Sequence, residues 1–188
     1  MYNTDTYTGP SFSIKNRIRR LLWHFFYVIF FKYSPRFFHS WRSFVLRCFG
    51  AKIGRGVHIY PKVIIWAPWN LEIDDNVGIA DGVNLYSQGK IIIGKKSIIS
   101  QGSFICTGSH DYRKKGHPLI TKTIIIKDNV WIAAECFIHP GSIINSGAII
   151  GARSVVSNEV PAWSVCVGFP CKFIKKRDTE DDFSSNIN

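Results

Sequence analysis

From residue 51 onward, aliphatic side chains recur at a fixed spacing of six. Ile126, Ile132, Ile138, Ile144, Ile150 and Val156 form the longest series. Three shorter ones precede it: Ile53, Ile59, Ile65; then Ile73, Ile79, Leu85; then Ile93, Ile99, Ile105. The fourth residue after each is typically small or β-branched, as at Val57, Val77, Ser97, Ser103, Ala148 and Ser154, with Trp69 an exception. A helix needs apolar positions every 3.6 residues, which a period of six does not supply. Register breaks fall only after a third hexapeptide, at Ile65 to Ile73, Leu85 to Ile93 and Ile105 to Ile126. A triangular coil with three six-residue sides predicts this, because insertions can leave at one corner without disturbing the sides. The fifteen hexapeptides then make about five coils, each side a short parallel strand with its aliphatic residue inward. The small fourth residue fits a corner, and Ile-Gly at 53–54, 93–94 and 150–151 is expected to give backbone freedom there. One coil cannot bury its own face, so stacking makes the core.

Residues 1–50 follow another pattern. Two aromatic-rich helices are expected, over 16–31 and 35–49, broken at Ser34-Pro35, since proline starts helices and displaces its predecessor from helical geometry. The apolar run over 21–31 is too short to span a bilayer, which takes about 20 residues. It also lacks a small-residue cleavage site, Lys32, Tyr33 and Arg36 standing there instead. The segment holds eight Lys and Arg against Asp5, so 8 − 1 = +7 of the chain's formal charge of +11 lies here. Basic flanks around aromatic helices suit an interfacial membrane helix. The same helices could instead cover an open end or side of the coils, and the two roles are compatible.

At 188 residues, 46% hydrophobic and 20% charged, the chain suits one main domain and is not of disordered composition. The expected division is a helical segment 1–50, a repeat domain 51–177 and an acidic, disordered tail 178–188. No continuous basic face supports nucleic-acid binding. Five cysteines without a C-x-x-C pair read as reduced thiols in a cytoplasmic protein, with no metal site among them.

The stretch Cys106-Thr107-Gly108-Ser109-His110-Asp111-Tyr112, the segment Asp128-Asn129-Val130-Trp131-Ile132, Pro140-Gly141 and the ending Val167-Gly168-Phe169-Pro170-Cys171-Lys172 are specific beyond the repeat. Together they resemble the hexapeptide-repeat acetyltransferases of the galactoside, maltose and exopolysaccharide branch. The segment from Trp41 to Gly54 resembles the colanic acid biosynthesis acetyltransferase group within it. The resemblance covers roughly residues 15–177. It implies an all-β, left-handed parallel β-helix, an exception to the right-handed crossover rule. It also implies an inserted loop at 111–125 and a homotrimer with active sites between subunits.

The implied reaction is acetyl transfer from acetyl-CoA to a sugar or glycan hydroxyl, in exopolysaccharide, capsule or O-antigen biosynthesis. The expected setting is cytoplasmic, with peripheral contact at the inner membrane face through residues 15–50. In the family a histidine at the base of the inserted loop is the general base, and it matches His110. Either Asp111 or a backbone carbonyl could orient its ring; the carbonyl is favoured, because adjacent side chains on an extended chain point apart. Asn84, Asp111, Tyr112 and His117 are the candidate acceptor-binding residues. Trp131 matches a position lying against the coenzyme. Ala133, Ala134, Gly151 and Ala152 are small where the pantetheine arm must approach. Lys172 and Lys175 are candidates for its phosphates. Ser157 is a candidate too, although Ser157-Asn158 departs from the usual Thr-Lys. His139 points outward beside Ile138, while His24, His39 and His58 read as structural. The alternatives are an N-acyltransferase of an amino or nucleotide-linked sugar, and a non-catalytic membrane-associated scaffold. A γ-type carbonic anhydrase is excluded by the spacing of His110, His117 and His139.

Overall fold

The computed structural model describes residues 9–178, so nearly all of the expected acidic tail lies outside the described residues. The aliphatic residues stand in three columns, one on each face of a parallel β-helix. On the first face, strands Lys52–Ile53, Leu71–Ile73, Ile91–Ile93, Ile124–Ile126 and Ile143–Ile144 pair in parallel, stacking Ile53, Ile73, Ile93, Ile126 and Ile144. On the second, His58–Ile59, Gly78–Ile79, Ile98–Ile99, Trp131–Ile132 and Ile149–Ile150 stack their isoleucines in the same way. The third is built from Ile64–Ile65, Asn84–Tyr86, Phe104–Cys106, Phe137–Ile138 and Val155–Val156. A partial sixth coil extends the predicted five. Val160 bridges to Ile144, and Cys166 of strand Ser164–Val167 lies beside Ile150.

Except for Ile53, the column residues are buried, and so are the small corner residues. The corner serines are satisfied: the Ser97 hydroxyl donates to the Lys127 carbonyl at 2.7 Å and accepts from the Val130 N–H at 3.1 Å. Left-handed backbone falls at the third residue after most column positions, as at Asn76, Asn129 and Glu135, with φ of 57–58°. The Ile-Gly pairs therefore do not serve turn freedom as expected. A Cβ on Gly54 would lie 2.5 Å from the Asp75 carboxylate, and one on Gly94 would collide with that of Asp128. Those carboxylates accept the Arg55 and Lys95 N–H groups at 2.7 and 2.8 Å. Glycine is required there for close approach of the next coil.

Helix α1 covers Ile14–Phe26, capped at its start by the Ser13 hydroxyl, and continues into a π-helical turn, Tyr27–Lys32. The break at Ser34-Pro35 is present, but α2 covers His39–Cys48, starting four residues later than expected. Residues 35–38 close a turn instead, the Phe38 N–H donating to the Pro35 carbonyl at 3.0 Å. The Pro35 and Arg36 carbonyls are thereby left to accept from Arg42.

These helices close the first coil in a specific way. Each coil donates N–H groups to the next, as from Gly54 to Ile73, Tyr60 to Ile79 and Trp66 to Leu85. The inward strand carbonyls of the first coil, at Ile53, Ile59 and Ile65, therefore lack partners from the stack. Arg47 caps Ile53 at 3.0 Å, Arg42 Nε caps Ile59 at 2.6 Å, and Trp23 Nε1 caps Ile65 at 2.8 Å. Trp23, Phe31, Val45 and Leu46 are buried in the same core as the coils. The outer side of the cap is apolar and exposed, including Leu21, Phe25, Phe37 and Phe44. Among the described residues no helix is long and apolar enough to cross a membrane.

His39 joins cap and coil, its Nδ1 lying 2.9 Å from the Ile59 carbonyl and its ring stacked on His58. Burial lowers its pKa from the ordinary value; the Ile59 carbonyl opposes this, and the charges of Arg42, His58 and Arg36 lower it further. The folded state thus favours neutral His39. Its contribution to stability is complete above the unfolded value of about 6.5 and is lost as pH falls through the lower folded value. Thermal melting should shift down between pH 7 and pH 5, modestly because the ring is only partly buried. The slope should flatten in His39→Gln; an unchanged slope would remove His39 as the sensor.

Candidate active site

After the third coil the chain leaves the third face and forms a hairpin, Gly108–His110 paired antiparallel with Leu119–Thr121. Its base is rigid. Buried Thr107 donates to the Tyr86 carbonyl and accepts from the Gly89 N–H, both at 2.8 Å. His110 sits on this hairpin, exposed, with Nδ1 2.6 Å from the His117 carbonyl. A carbonyl only accepts, so Nδ1 carries a proton, and in the neutral ring the lone pair is on Nε2. Asp111 does not orient the ring. Its carboxylate accepts the Arg113 N–H at 3.2 Å and pairs with the Arg113 guanidinium at 3.6 Å. Tyr112 is exposed beside Arg113.

Asn84 and Tyr86 alternate outward on the third face and line a groove of about 940 Å³ against α1. The buried Asn84 Oδ1 has no hydrogen-bond partner. The Tyr86 hydroxyl accepts from Gln88 Nε2 at 2.8 Å, and Gln88 abuts Gly108 at the hairpin base. Asn84 and the His110 hairpin therefore share one region of the chain. Trp66, Tyr86, Gln88, Arg17 and Arg20 were not anticipated here. The outward alternation of Asn84-Leu85-Tyr86 was a readable sign for Tyr86.

The expected coenzyme residues lie elsewhere. Trp131 is 46% exposed on the second face between Ile98 and Ile149, its Nε1 donating to Ser100 Oγ at 3.0 Å. Ala133 and Ala134 follow it at the corner between second and third faces, and Gly151 and Ala152 occupy that corner one coil on. Lys172 and Lys175 are exposed on strand Lys172–Lys176, which closes the second face antiparallel to Ser164–Val167; Lys175 pairs with Asp178. Ser157 is exposed at the corner after the third face, apart from this strip. One chain thus holds His110 at one edge of the third face and the expected coenzyme residues at the other edge and on the second face.

Three of the thiols are poorly suited to act as nucleophiles. Burial pushes the Cys106 and Cys136 thiols up, and burial with Cys166 beside it pushes Cys171 up to about 11. Such thiols stay protonated and unreactive near neutrality. Among the described residues no cluster of His, Cys, Asp or Glu could hold a metal.

The triangular parallel β-helix is the fold of solved hexapeptide-repeat acetyltransferases. A solved galactoside acetyltransferase in complex with coenzyme A superimposes with a TM-score of 0.83 at 22% identity, covering 92% of this chain and 87% of that one. A hexapeptide-repeat acetyltransferase from Vibrio cholerae, complexed with acetyl coenzyme A, gives 0.81 at 22% identity over 90% and 93%. These fix the fold as the left-handed β-helix. No family model matches the chain. In sequence, a protein of Escherichia coli K12 assigned as the colanic acid biosynthesis acetyltransferase WcaF is 43% identical over 162 residues, 86% of this chain and 89% of its own. The chain belongs to the colanic acid biosynthesis acetyltransferase family.

Proposed function

We propose that the protein transfers acetyl from acetyl-CoA to a sugar hydroxyl during exopolysaccharide biosynthesis, with His110 as general base. The observation that carries this reading is the 2.6 Å bond from His110 Nδ1 to the His117 carbonyl, which leaves Nε2 as acceptor. A sugar hydroxyl is a poor nucleophile at neutral pH. As its oxygen attacks the thioester carbonyl, Nε2 takes the hydroxyl proton. A backbone N–H of a nearby coil stabilises the tetrahedral oxyanion. When the C–S bond breaks, the imidazolium returns the proton to the departing coenzyme A thiolate.

Separation of the His110 hairpin from the Trp131 strip supports a homotrimer, in which the strip of one subunit faces the hairpin of the next. Trp131, Ala133, Ala134, Gly151 and Ala152 would line the path of the pantetheine arm, with Lys172 and Lys175 toward the phosphates. Asn84, Asp111, Tyr112 and His117 remain the proposed acceptor side.

The functional test is an acceptor screen with acetyl-CoA, following free thiol. Thiol release that depends on a glycan hydroxyl is expected. Preference for amino sugars would move the reading to N-acyl transfer, and release that no acceptor changes would sink both.

The exposed apolar and basic side of the helical cap supports peripheral contact with anionic lipid. Since Trp23 and Leu46 belong to the core, deleting the segment would unfold the protein. A Leu21→Ser/Phe25→Ser variant is the proper probe. Wild type should co-sediment with vesicles rich in phosphatidylglycerol, less so at high salt, and the variant should not; equal sedimentation would count against the contact.

A further inference from the structure

A second cavity, of about 350 Å³, lies between α2 and the first coil, and its lining is polar and basic. Ser40, Ser43 and Arg47 line it from α2, where spacings of three and four place them in one row. Arg55 and His58 line it from the first coil, with backbone at Gly54 and Gly56 in the wall. No carboxylate lines it. The Asp75 carboxylate nearby accepts the Arg55 N–H at 2.7 Å. Among the described residues, neither Arg47 nor Arg55 is ion-paired. Arg47 commits Nε and Nη2 to the Ile53 and Gly54 carbonyls, which fixes its guanidinium and leaves Nη1. Ser43 is only 4% exposed, and its hydroxyl has no hydrogen-bond partner. A buried hydroxyl is costly to leave unpaired. The pocket is separate from the coenzyme residues. His58 and Trp131 share the second face, but Gly78 and Ile98 stand between them, so three inter-strand steps, roughly 14 Å, part their backbones.

Two uncompensated guanidinium groups and an unpartnered hydroxyl call for a compact anion with several acceptor oxygens. A phosphate is such a group, since its oxygens accept from guanidinium and hydroxyl donors together. The flank of the pocket narrows the source. Phe37 is part of the lining and is 77% exposed, and Trp41 and Phe44, 40% and 55% exposed, form an apolar row on α2 beside the polar one. We infer that the pocket binds the phosphate of an anionic membrane phospholipid, whose acyl chains leave past Phe37, Trp41 and Phe44. A free phosphorylated metabolite would take the same donors, but it leaves the apolar row without a partner. The lipid source rests on the membrane-contact reading, whereas the phosphate site rests on its own lining. A seated headgroup fixes how the protein is oriented on the bilayer, which a diffuse basic surface does not do.

Dihexanoyl phosphatidylglycerol serves as probe, titrated into the full-length protein below its micellar concentration and followed by calorimetry. Glycerol phosphate and dihexanoyl phosphatidylcholine are titrated alongside. Binding of the phosphatidylglycerol at least tenfold tighter than either control is expected. Arg55→Ala, at an exposed position without an ion pair, should keep the melting temperature and weaken binding at least fivefold. Ser43→Ala is the sharper variant. Removing a buried, unpartnered hydroxyl should hold or raise the melting temperature of the unliganded protein and still weaken binding several-fold. A lowered melting temperature with unchanged binding would make Ser43 a structural residue and overturn its part in the site. Glycerol phosphate binding as tightly as the lipid would overturn the lipid source in favour of a free phosphorylated ligand. Equal binding of phosphatidylcholine would overturn the demand for net negative charge. Undiminished binding in both variants, or no binding of any probe, would overturn the site itself. The titration uses no bilayer, so its failure leaves the vesicle result for Leu21→Ser/Phe25→Ser standing, and the reverse also holds.

Discussion

A His110→Ala variant is expected to fold normally and to lose about 10²–10⁴-fold in kcat, the usual contribution of a general base. The Michaelis constant for acetyl-CoA should barely move, because in the proposed site Trp131 and the small corner residues, not the imidazole, hold the coenzyme. Steady-state kinetics with the best acceptor from the screen measure both. Full activity in the variant would remove His110 from the mechanism. His117→Ala is the informative companion: what His117 supplies to His110 is its carbonyl, which the substitution keeps, so kcat should stay within a few-fold. The same variant tests the assembly. When His110→Ala is co-refolded with Trp131→Ala and assayed at low acetyl-CoA, random trimers should place an intact hairpin against an intact coenzyme strip at about a quarter of the interfaces. Activity well above the sum of the two parents is then expected. No recovery would mean that one subunit completes its own site.

The second large effect is structural. Arg42→Ala should destabilise the protein by about 3–5 kcal/mol, because it removes four hydrogen bonds in a largely buried setting and opens a cavity where a whole guanidinium was packed. Arg42 is fully buried. It donates to Ile59 and Arg36 carbonyls at 2.6 Å and to the Pro35 carbonyl and Ser34 hydroxyl at 2.8 Å. Burial lowers its pKa, and the charge of Asp81 opposes this. Removing the group relieves its own desolvation, which offsets part of the loss. The lost bonds outweigh that relief, since four acceptors from two segments, 34–36 and Ile59, converge on one side chain. For a chain of this size the melting temperature should fall by about 10 °C. A shift of under ~2 °C would show that water replaces the guanidinium without penalty. Arg42→Lys should fall between the two, because one ammonium cannot reach all four acceptors.

The coils were legible because a column residue has one requirement, an aliphatic side chain of nearly constant size. That requirement returns at Ile53, Ile73, Ile93, Ile126 and Ile144 whatever is inserted between. The helix break at Ser34-Pro35 was legible for the equally local reason that proline cannot extend a helix. Other features depend on what lies across space. Gly54 looked like a turn residue, but its role is set by the Asp75 carboxylate one coil away. Arg42 looked like one more cation in a basic segment, and only the fold converges carbonyls on it. His110 was found through a local motif, whereas its partner carbonyl at His117 depends on how the hairpin closes. The groove that joins Asn84 to Arg17 and Arg20 was hidden altogether, because it exists only once α1 lies against the third face.

The two ends of the stack are finished differently, and this sets the length of the molecule. Repetitive parallel strands are a template to which another chain can add, and an open solenoid end invites growth into fibres. At the amino end the free carbonyls of all three faces are taken by Arg47, Arg42 and Trp23. At the other end the last N–H donors, at Asn145, Gly151 and Val155, meet Val160, Cys166 and Gly168, and the chain then reverses into the lysine-bearing strand Lys172–Lys176. A reversed, positively charged final strand offers an incoming coil neither the right polarity nor an uncharged edge. Growth by strand addition is thus opposed along the solenoid axis, and only the side faces remain open to a second copy.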